Sequence, residues 1–165
     1  MLPGHRPGGN GAPGVLPDTV QVAVPRVCEA LHMTDPRRTL VARWLAAGDA
    51  GDLDAFDDLF HPDAVVHAPM GLSTSAVEDE KSVWRMGIVN MPGIRHEVQE
   101  VVVEGDVEMA RVVVSGTMAS EFGGLPGTGR AFRIDQAVIT HLRDGRIAEA
   151  WEIADIAALQ AQTTH

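Results

Sequence analysis

The sequence predicts an α+β domain in which helices come first and a curled antiparallel sheet follows. Between about residues 36 and 90, apolar residues recur at the spacing of amphipathic helices. From Ile94 onward the period changes to two, and the runs are rich in valine. Glu104-Gly105-Asp106 and Asp144-Gly145 separate these runs in the manner of hairpin turns. Helices that are segregated from the sheet along the chain are typical of the α+β class.

The first predicted helix spans about residues 36–47. Thr34 or Asp35 can act as its N-cap, with Pro36 just inside, where the missing N–H costs nothing. Its apolar stripe consists of Leu40, Val41, Trp44 and Leu45. We expect Gly48 to end this helix, because glycine readily adopts the left-handed conformation that closes many helices.

Two further helices and a strand are predicted before the hairpins. A short helix over about residues 53–60 has one apolar and one acidic side. His61-Pro62-Asp63 should break it, since proline cannot continue a helix, and residues 64–68 are typical of a strand. A helix over about residues 75–90 should then stop before Met91-Pro92-Gly93.

Two hairpins and a closing helix complete the predicted domain. The predicted strands cover residues 94–103, 107–119, 131–142 and 146–153. The last helix, over about residues 155–162, would lay Ile156 and Leu159 against the sheet.

Residues 1–32 have the composition of a flexible tail. They hold five of the ten prolines and show no sustained periodicity, so they cannot bury enough apolar area to offset the entropy of ordering. They also lack the apolar core and cleavage pattern of a secretory signal. Met33-Thr34-Asp35-Pro36 has the form of a start residue followed by a helix cap, so translation from Met33 is a second possibility. We expect the folded domain to span residues 33–165.

Charge and composition argue against several classes of function. The 165 residues provide for one domain with a sizeable core. A formal net charge of −10 argues against nucleic-acid binding, which needs clustered Lys and Arg. No apolar run approaches the roughly 20 residues that span a bilayer, and no basic amphipathic stretch suits a membrane surface. The single cysteine, Cys28, cannot form an intrachain disulfide, which fits the cytoplasmic location that we expect.

The sequence lacks the motifs of three other chemistries. Neither His-x-His nor His-x-x-x-His occurs, so no metal site is predicted. There is no Gly-x-Ser-x-Gly nucleophile motif. The glycines at 123, 124, 127 and 129 do not fit a dinucleotide-binding fingerprint and lead into a strand, so we expect a flexible loop there.

Several short motifs, through their order and spacing, carry a resemblance to a known family. They are Gly48-Asp49-Ala50-Gly51-Asp52-Leu53-Asp54, His61-Pro62-Asp63, Gly124-Leu125-Pro126-Gly127-Thr128-Gly129-Arg130, Asp144-Gly145 and Trp151-Glu152. Over about residues 37–162 the chain resembles the SnoaL-like polyketide cyclases of the nuclear-transport-factor-2-like superfamily. The resemblance implies a cone-shaped fold, in which a curved sheet packs on the N-terminal helices around one apolar cavity.

Glu152 is the leading candidate for catalysis. A carboxylate near the end of an apolar strand is either a solvated charge at the sheet edge or an acid inside a cavity. The resemblance favours the cavity, because SnoaL-like cyclases have a catalytic aspartate at the matching place. Such an acid suits an intramolecular aldol closure, in which one proton leaves a carbon beside a carbonyl and another reaches the new alkoxide. An apolar pocket would raise its pKa, and no metal or organic cofactor is needed.

Strand alternation indicates which neighbours share the face of Glu152. If its side chain points inward, Ala148 and Ala150 lie on the same face and Trp151 points outward. His67 is the best candidate for a second catalytic group, either as a donor or as a base near neutral pH. The alternative is that His67 is packed and hydrogen-bonded in its strand without a catalytic role.

The remaining candidate residues would bind substrate. They are Trp44, Trp84, His96, Met118, Gln136 and Val138. The two tryptophans are equally compatible with pocket walls and with plain core. At the place of Val138 the related proteins often have histidine or aspartate, so this chain departs from the usual acid/base pair.

Several functions stay open. The leading hypothesis is a cofactor-independent cyclase or isomerase that acts on a hydrophobic, polyketide-derived molecule in secondary metabolism, including antibiotic biosynthesis. A variant is ring closure driven by the shape of the cavity, with little acid/base help. The rival is a non-catalytic small-molecule-binding protein on the same fold. An epoxide hydrolase is disfavoured, because the Asp-Arg-Asp set of that branch has no match here.

We also expect a homodimer or a higher assembly of dimers. If Glu152 faces the cavity, Ile147, Trp151 and Ile153 should face outward on the same strand. Such an apolar patch is larger than a stable monomer normally exposes.

Overall fold

The computed structural model describes residues 35–164, which contain four α-helices and five strands. The helices are α1 (Leu40–Ala50), α2 (Phe56–Leu59), α3 (Val77–Asn90) and α4 (Ile156–Thr163). The strands are β1 (Phe60–His67), β2 (Arg95–Glu104), β3 (Val107–Met118), β4 (Arg130–Arg143) and β5 (Arg146–Ala154). The predicted α+β class is confirmed. The predicted tail, the start at Met33 and Cys28 lie outside the described residues.

The curved sheet is open and has the strand order β1-β5-β4-β3-β2. Strands β2 to β5 pair antiparallel in sequence order, as the predicted hairpins require. In the β4–β5 turn, Asp144 and Gly145 both have positive φ, 51° and 74°, as a type I′ turn demands. β1 pairs parallel to β5, so one edge of the otherwise antiparallel sheet is parallel.

The start of α1 differs from the prediction. Its N-cap is Thr39, and Asp35 instead holds a short 3-10 turn through the backbone N–H of Arg37. The buried carboxylate of Glu108 on β3 accepts hydrogen bonds from the backbone N–H groups of Leu40 and Val41, at 3.0 and 2.8 Å. A tertiary contact therefore satisfies the free donors of the first turn, which local sequence could not reveal.

The predicted end of α1 at Gly48 is also wrong, because the helix continues to Ala50. Gly51, with φ 72°, provides the left-handed cap. Gly48 lies inside the helix, where a Cβ atom would come within 2.3 Å of the Trp84 indole ring. The glycine is therefore needed for close packing of α1 against α3 and not for a turn.

β1 begins four residues earlier than predicted. Phe60 belongs to this strand, and so does His61-Pro62-Asp63, which was expected only to break a helix. The pairing of β1 with β5 is interrupted between Phe60 and Val65. Proline is tolerated there because β1 is an edge strand, and where its pairing is interrupted no ladder hydrogen bond from the proline nitrogen is required.

An irregularity in β5 corrects one of the predicted outward side chains. The cross-strand register passes from His141 opposite Glu149 to Leu142 opposite Ile147, which leaves Ala148 as an extra residue. Such a bulge breaks the strict alternation of a strand. Ile147 is consequently turned into the core and is completely buried, and it cannot contribute to an outward patch.

An aromatic cluster joins the helices to the inner face of the sheet. The Trp44 ring meets Phe60 edge-on at 5.1 Å, and Phe56 packs against Phe60 at 5.5 Å. Trp84 meets Trp44 at 6.5 Å and Phe56 at 6.0 Å, again edge-on. These arrangements suit the charge distribution of aromatic rings, so the cluster fixes the position of Trp84 as well as burying area.

The contact between α1 and α3 leads to a stability prediction. Gly48→Ala should lower the unfolding free energy by about 2 kcal/mol, because the added methyl forces Trp84 out of place and this outweighs the gain in helix propensity. Urea unfolding would measure it. Gly87→Ala is the matched control, since a Cβ there meets nothing closer than 3.7 Å; that helix-interior change should be neutral or stabilising. Equal effects of the two changes would contradict this role of Gly48.

Candidate functional site

A cavity of about 110 Å³ lies between the inner face of the sheet and helices α3 and α4. We define the inner face as the one that carries Gln136, Val138 and Glu152, of which the last two are direct cross-strand partners. The lining is mainly apolar, with Phe132 and Ile134 from β4 among its members. Concave, apolar sites with a few polar groups are typical of small-molecule binding.

Four of the predicted site residues line this cavity. They are Trp84, His96, Gln136 and Glu152. Trp44, Met118 and Val138 do not line it; they are completely buried in the core. The sequence did not decide whether Trp44 and Trp84 form the cavity wall or the core. In the structure Trp84 lines the cavity and Trp44 lies in the core.

His67 is not brought into the cavity. It pairs with Trp151 across β1 and β5, and partners in a parallel ladder point to the same side of a sheet. Its ring stacks on Trp151 at 5.0 Å, and its Nε2 lies 2.8 Å from the Glu149 carboxylate. We call this side, with His67, Trp151 and His141, the outer face. His67 thus has the packed and hydrogen-bonded environment that the sequence allowed as the alternative to a catalytic role.

Glu152 lies on the cavity wall near the end of β5. Within residues 35–164 no group donates a hydrogen bond to its carboxyl. The surface that it retains opens onto an apolar cavity. Burial there, with a smaller contribution from the negative charge of Glu80, raises the pKa of Glu152 from 4.5 to about 8.

Glu80 is the second carboxyl group of the cavity, and sequence reasoning missed it. It is 3% exposed and accepts hydrogen bonds from the Thr74 hydroxyl at 3.0 Å and from the Trp84 indole N–H at 2.9 Å. Burial raises the pKa of Glu80 to about 7, although both hydrogen bonds act in the opposite direction. In the sequence it lies in the charged run Glu78-Asp79-Glu80-Lys81, which suggests a solvated face. Only its position one helical turn before Trp84 could have singled it out.

The Asp49 carboxylate holds His96 at two points. One Asp49 oxygen accepts from the His96 backbone N–H at 2.7 Å, and the other lies 2.7 Å from the His96 Nδ1. The Trp84 ring packs against the imidazole at 5.1 Å. The His96 side chain is 7% exposed, so three contacts fix the orientation of a ring that borders the cavity.

Gln136 offers an unused polar group to the cavity. It is 6% exposed, and its buried Oε1 has no hydrogen-bond partner. An amide in this state is costly, and a ligand that donates a hydrogen bond would remove the cost.

The polar groups that line the cavity are of the kinds that take part in proton transfer. Two carboxyl groups with raised pKa, an oriented imidazole and an unpaired amide meet in one apolar space. Among residues 35–164, no group of three or more His, Cys, Asp or Glu side chains is arranged to hold a metal ion. In the same part of the chain, no helix is long and apolar enough to cross a membrane.

Comparison with known proteins identifies the family. The model of the SnoaL-like polyketide cyclases matches residues 38–163. The chain belongs to this family. No curated protein sequence matches the chain.

Solved structures agree with membership of the SnoaL-like family. Wild-type IdmH from Streptomyces antibioticus, a candidate polyketide cyclase, is 32% identical with a TM-score of 0.67; the match covers 80% of this chain and 100% of IdmH. TsrD from Streptomyces laurentii is 26% identical with a TM-score of 0.69, covering 78% and 94%. A protein from Catenulispora acidiphila with a ketosteroid isomerase-like fold has a TM-score of 0.67 at 16% identity, covering 77% and 93%, and supports the fold alone.

The two raised pKa values predict how stability depends on pH. Both carboxyl groups bind protons more tightly in the folded protein than in the unfolded chain, where the pKa is near 4.5. Their contribution to stability is therefore complete below pH 4.5 and is lost as the pH rises through about 7 and about 8. We expect the melting temperature to fall as the pH rises from about 4.5 to about 8 and to level off above that.

The Glu152→Gln variant isolates the contribution of the Glu152 carboxyl. The amide cannot ionise, so its melting curve should fall less steeply over this range and lie a few degrees above the parent at about pH 9. Calorimetry at several pH values would measure this. Parallel curves for variant and parent would show that Glu152 does not hold a proton in this range.

Proposed function

We propose that the protein is a cofactor-independent cyclase that closes a ring in a polyketide-derived substrate, with Glu152 as its acid/base. The observation that carries the proposal is the pair of Glu80 and Glu152 in one apolar cavity, with pKa values of about 7 and about 8. Acid/base catalysis is most effective when the pKa of the group lies near the working pH. A solvated surface glutamate would not meet that condition.

The surroundings of the two carboxyl groups indicate different states near neutral pH. Glu80 has a hydrogen-bond donor on each oxygen, which stabilises its ionised form. Glu152 has none and has the higher pKa, so it keeps its proton and can donate it to a developing alkoxide. When Glu80 is ionised, its negative charge adds to the effect of burial and raises the pKa of Glu152 further.

Membership of the SnoaL-like family and the likeness to IdmH support this proposal. By the resemblance, Glu152 occupies the position of the family's catalytic aspartate. The unpaired Oε1 of Gln136 can accept a hydrogen bond from a substrate hydroxyl. His67, on the outer face, has no role in the proposed reaction. A cytoplasmic location and a role in secondary metabolism are part of the proposal and rest on the family alone.

A non-catalytic binding protein is the second candidate, because the cavity is apolar and the Gln136 amide would suit any ligand with a hydrogen-bond donor. Native mass spectrometry of the protein purified from its own host would separate the two. A stoichiometric, chemically unchanged ligand would favour binding, and a ring-closed product would favour catalysis.

Glu152→Gln tests the proposed chemistry. The amide keeps the size of the side chain but cannot exchange protons near neutral pH, so turnover of a poly-β-ketone ester should fall roughly 10²- to 10⁴-fold. Product formation would be followed by mass spectrometry, and binding by calorimetry. His67→Gln is the control on the outer face and should change the rate less than about threefold. A folded Glu152→Gln variant with a rate within a few-fold of the parent would remove Glu152 from the catalytic role.

We also propose that the outer face forms a homodimer. One row of residues crosses all five strands in register: His67, Trp151, Ile139, Met109 and Val102. Met109 and Val102 are 49% and 40% exposed, and Ile153 beside the row is 60% exposed. A continuous apolar band of this kind is typical of an interface between copies.

Sedimentation at micromolar concentration should therefore show a dimer or an assembly of dimers. Met109→Lys should shift the protein to monomer, because it places a charge in the middle of the row. Val89→Lys is the matched control: Val89 is 73% exposed but lies on α3, away from the sheet. A parent protein that is monomeric, or a Met109→Lys variant that stays dimeric, would exclude this interface.

A further inference from the structure

We infer that His96 is the base of the proposed ring closure, with Asp49 as its positioning residue, and that the cavity therefore has two separate centres for proton transfer. The inference rests on the proposed function and deepens it. Its starting point is the pair of contacts from Asp49 to His96 and the place of the imidazole in the cavity lining.

The contacts determine which ring nitrogen is free. A carboxylate can only accept hydrogen bonds, so Nδ1 carries the hydrogen that is shared with Asp49, at 2.7 Å. In the neutral ring, Nε2 then has a lone pair and can accept a proton. Among residues 35–164 it has no hydrogen-bond partner, it is not among the fully buried polar atoms, and it belongs to a residue that lines the cavity. An imidazole held in one tautomer by a carboxylate is an effective base.

The two centres lie on different parts of the cavity wall. His96 is on β2 and Glu152 is on β5, with β3 and β4 between them. The Trp84 ring packs on His96, and its indole N–H donates to Glu80, whose negative charge contributes to the raised pKa of Glu152. The substrate must therefore lie between the two centres, with the carbon that His96 deprotonates and the carbonyl oxygen that Glu152 protonates on opposite sides of the bond that forms.

The proton and electron movements balance without a co-reactant. Nε2 of His96 removes a proton from the carbon beside one carbonyl, and the electron pair left on that carbon forms a bond to the carbon of a second carbonyl. The π electrons of the second carbonyl move to its oxygen, which takes the proton of Glu152. Transfer of a proton from His96 to Glu152 through water restores both groups. The product is an isomer of the substrate.

Asp49→Asn is the decisive variant because its effect on the tautomer follows from the geometry. The His96 backbone N–H still needs an acceptor, so the amide oxygen turns toward it and the amide NH₂ faces Nδ1. Nδ1 must then accept, the hydrogen moves to Nε2, and the base is lost. Nitrogen NMR of the histidine ring should show hydrogen on Nδ1 in the parent and on Nε2 in the variant.

Catalysis can be tested without the natural substrate. The probe is 2-tetralone, a flat apolar ketone, and the readout is deuterium uptake beside its carbonyl in heavy water. The parent should accelerate uptake, and both His96→Gln and Asp49→Asn should lower the rate by roughly 10²-fold or more. His141→Gln, on the outer face, should stay within about twofold.

The outcomes separate the inference from the proposed function. Full exchange in His96→Gln and Asp49→Asn, together with loss in Glu152→Gln, would overturn the role of His96 and leave the cyclase proposal standing. Unchanged rates in all three variants would overturn both. Hydrogen on Nε2 of His96 in the parent protein would overturn the inference by itself, whatever the exchange rates.

Discussion

The close contact between Gly48 and Trp84 is the constraint on which the site depends. Because Gly48 has no side chain, the indole ring can lie directly on α1. In that position the Trp84 N–H holds Glu80 and its ring packs on His96. The next residue after Gly48 is Asp49, which fixes His96 from the other side. One turn of α1 therefore helps to position both Glu80 and His96 in the cavity lining.

The cavity combines apolar packing with polar groups whose hydrogen bonds are incomplete. The Gln136 oxygen has no partner, and Glu152 has no donor among the described residues. Both features cost stability, since buried polar groups normally find partners. The same surroundings raise the pKa of Glu152 into the range where a carboxyl can donate a proton near neutral pH. The instability of the site and its reactivity thus have one physical cause.

The sheet separates two roles by the alternation of its strands. Glu152 points to the cavity, and its neighbour Trp151 stacks with His67 on the outer face. The apolar row on the outer face is continuous because the register of all five strands brings its members side by side. At the extra residue Ala148, near the β4–β5 turn, the strict alternation of β5 is broken. Ile147 therefore lies in the core and not on the outer face.

The sequence by itself determined the α+β class and the order of the elements, because these follow from local periodicity and turn chemistry. The inward direction of Glu152 was favoured only by the resemblance to the family. Alternation and helical spacing are properties of neighbouring residues, so they can be recognised without a structure. Membership of the family likewise followed from short motifs, which later agreed with the match over residues 38–163.

Only the tertiary structure decided which polar side chains meet. Glu108 fixes the start of α1 from 68 residues away in sequence, and Gly48 serves packing where local rules predicted a helix end. Glu80 was hidden in a charged run, and its two hydrogen-bond donors, Thr74 and Trp84, are brought to it only by the fold. For His67 the sequence left a catalytic and a packed position open, and the parallel pairing of β1 with β5 places it on the outer face. Contacts between distant segments depend on register and on the packing of whole elements, and no local pattern carries that information.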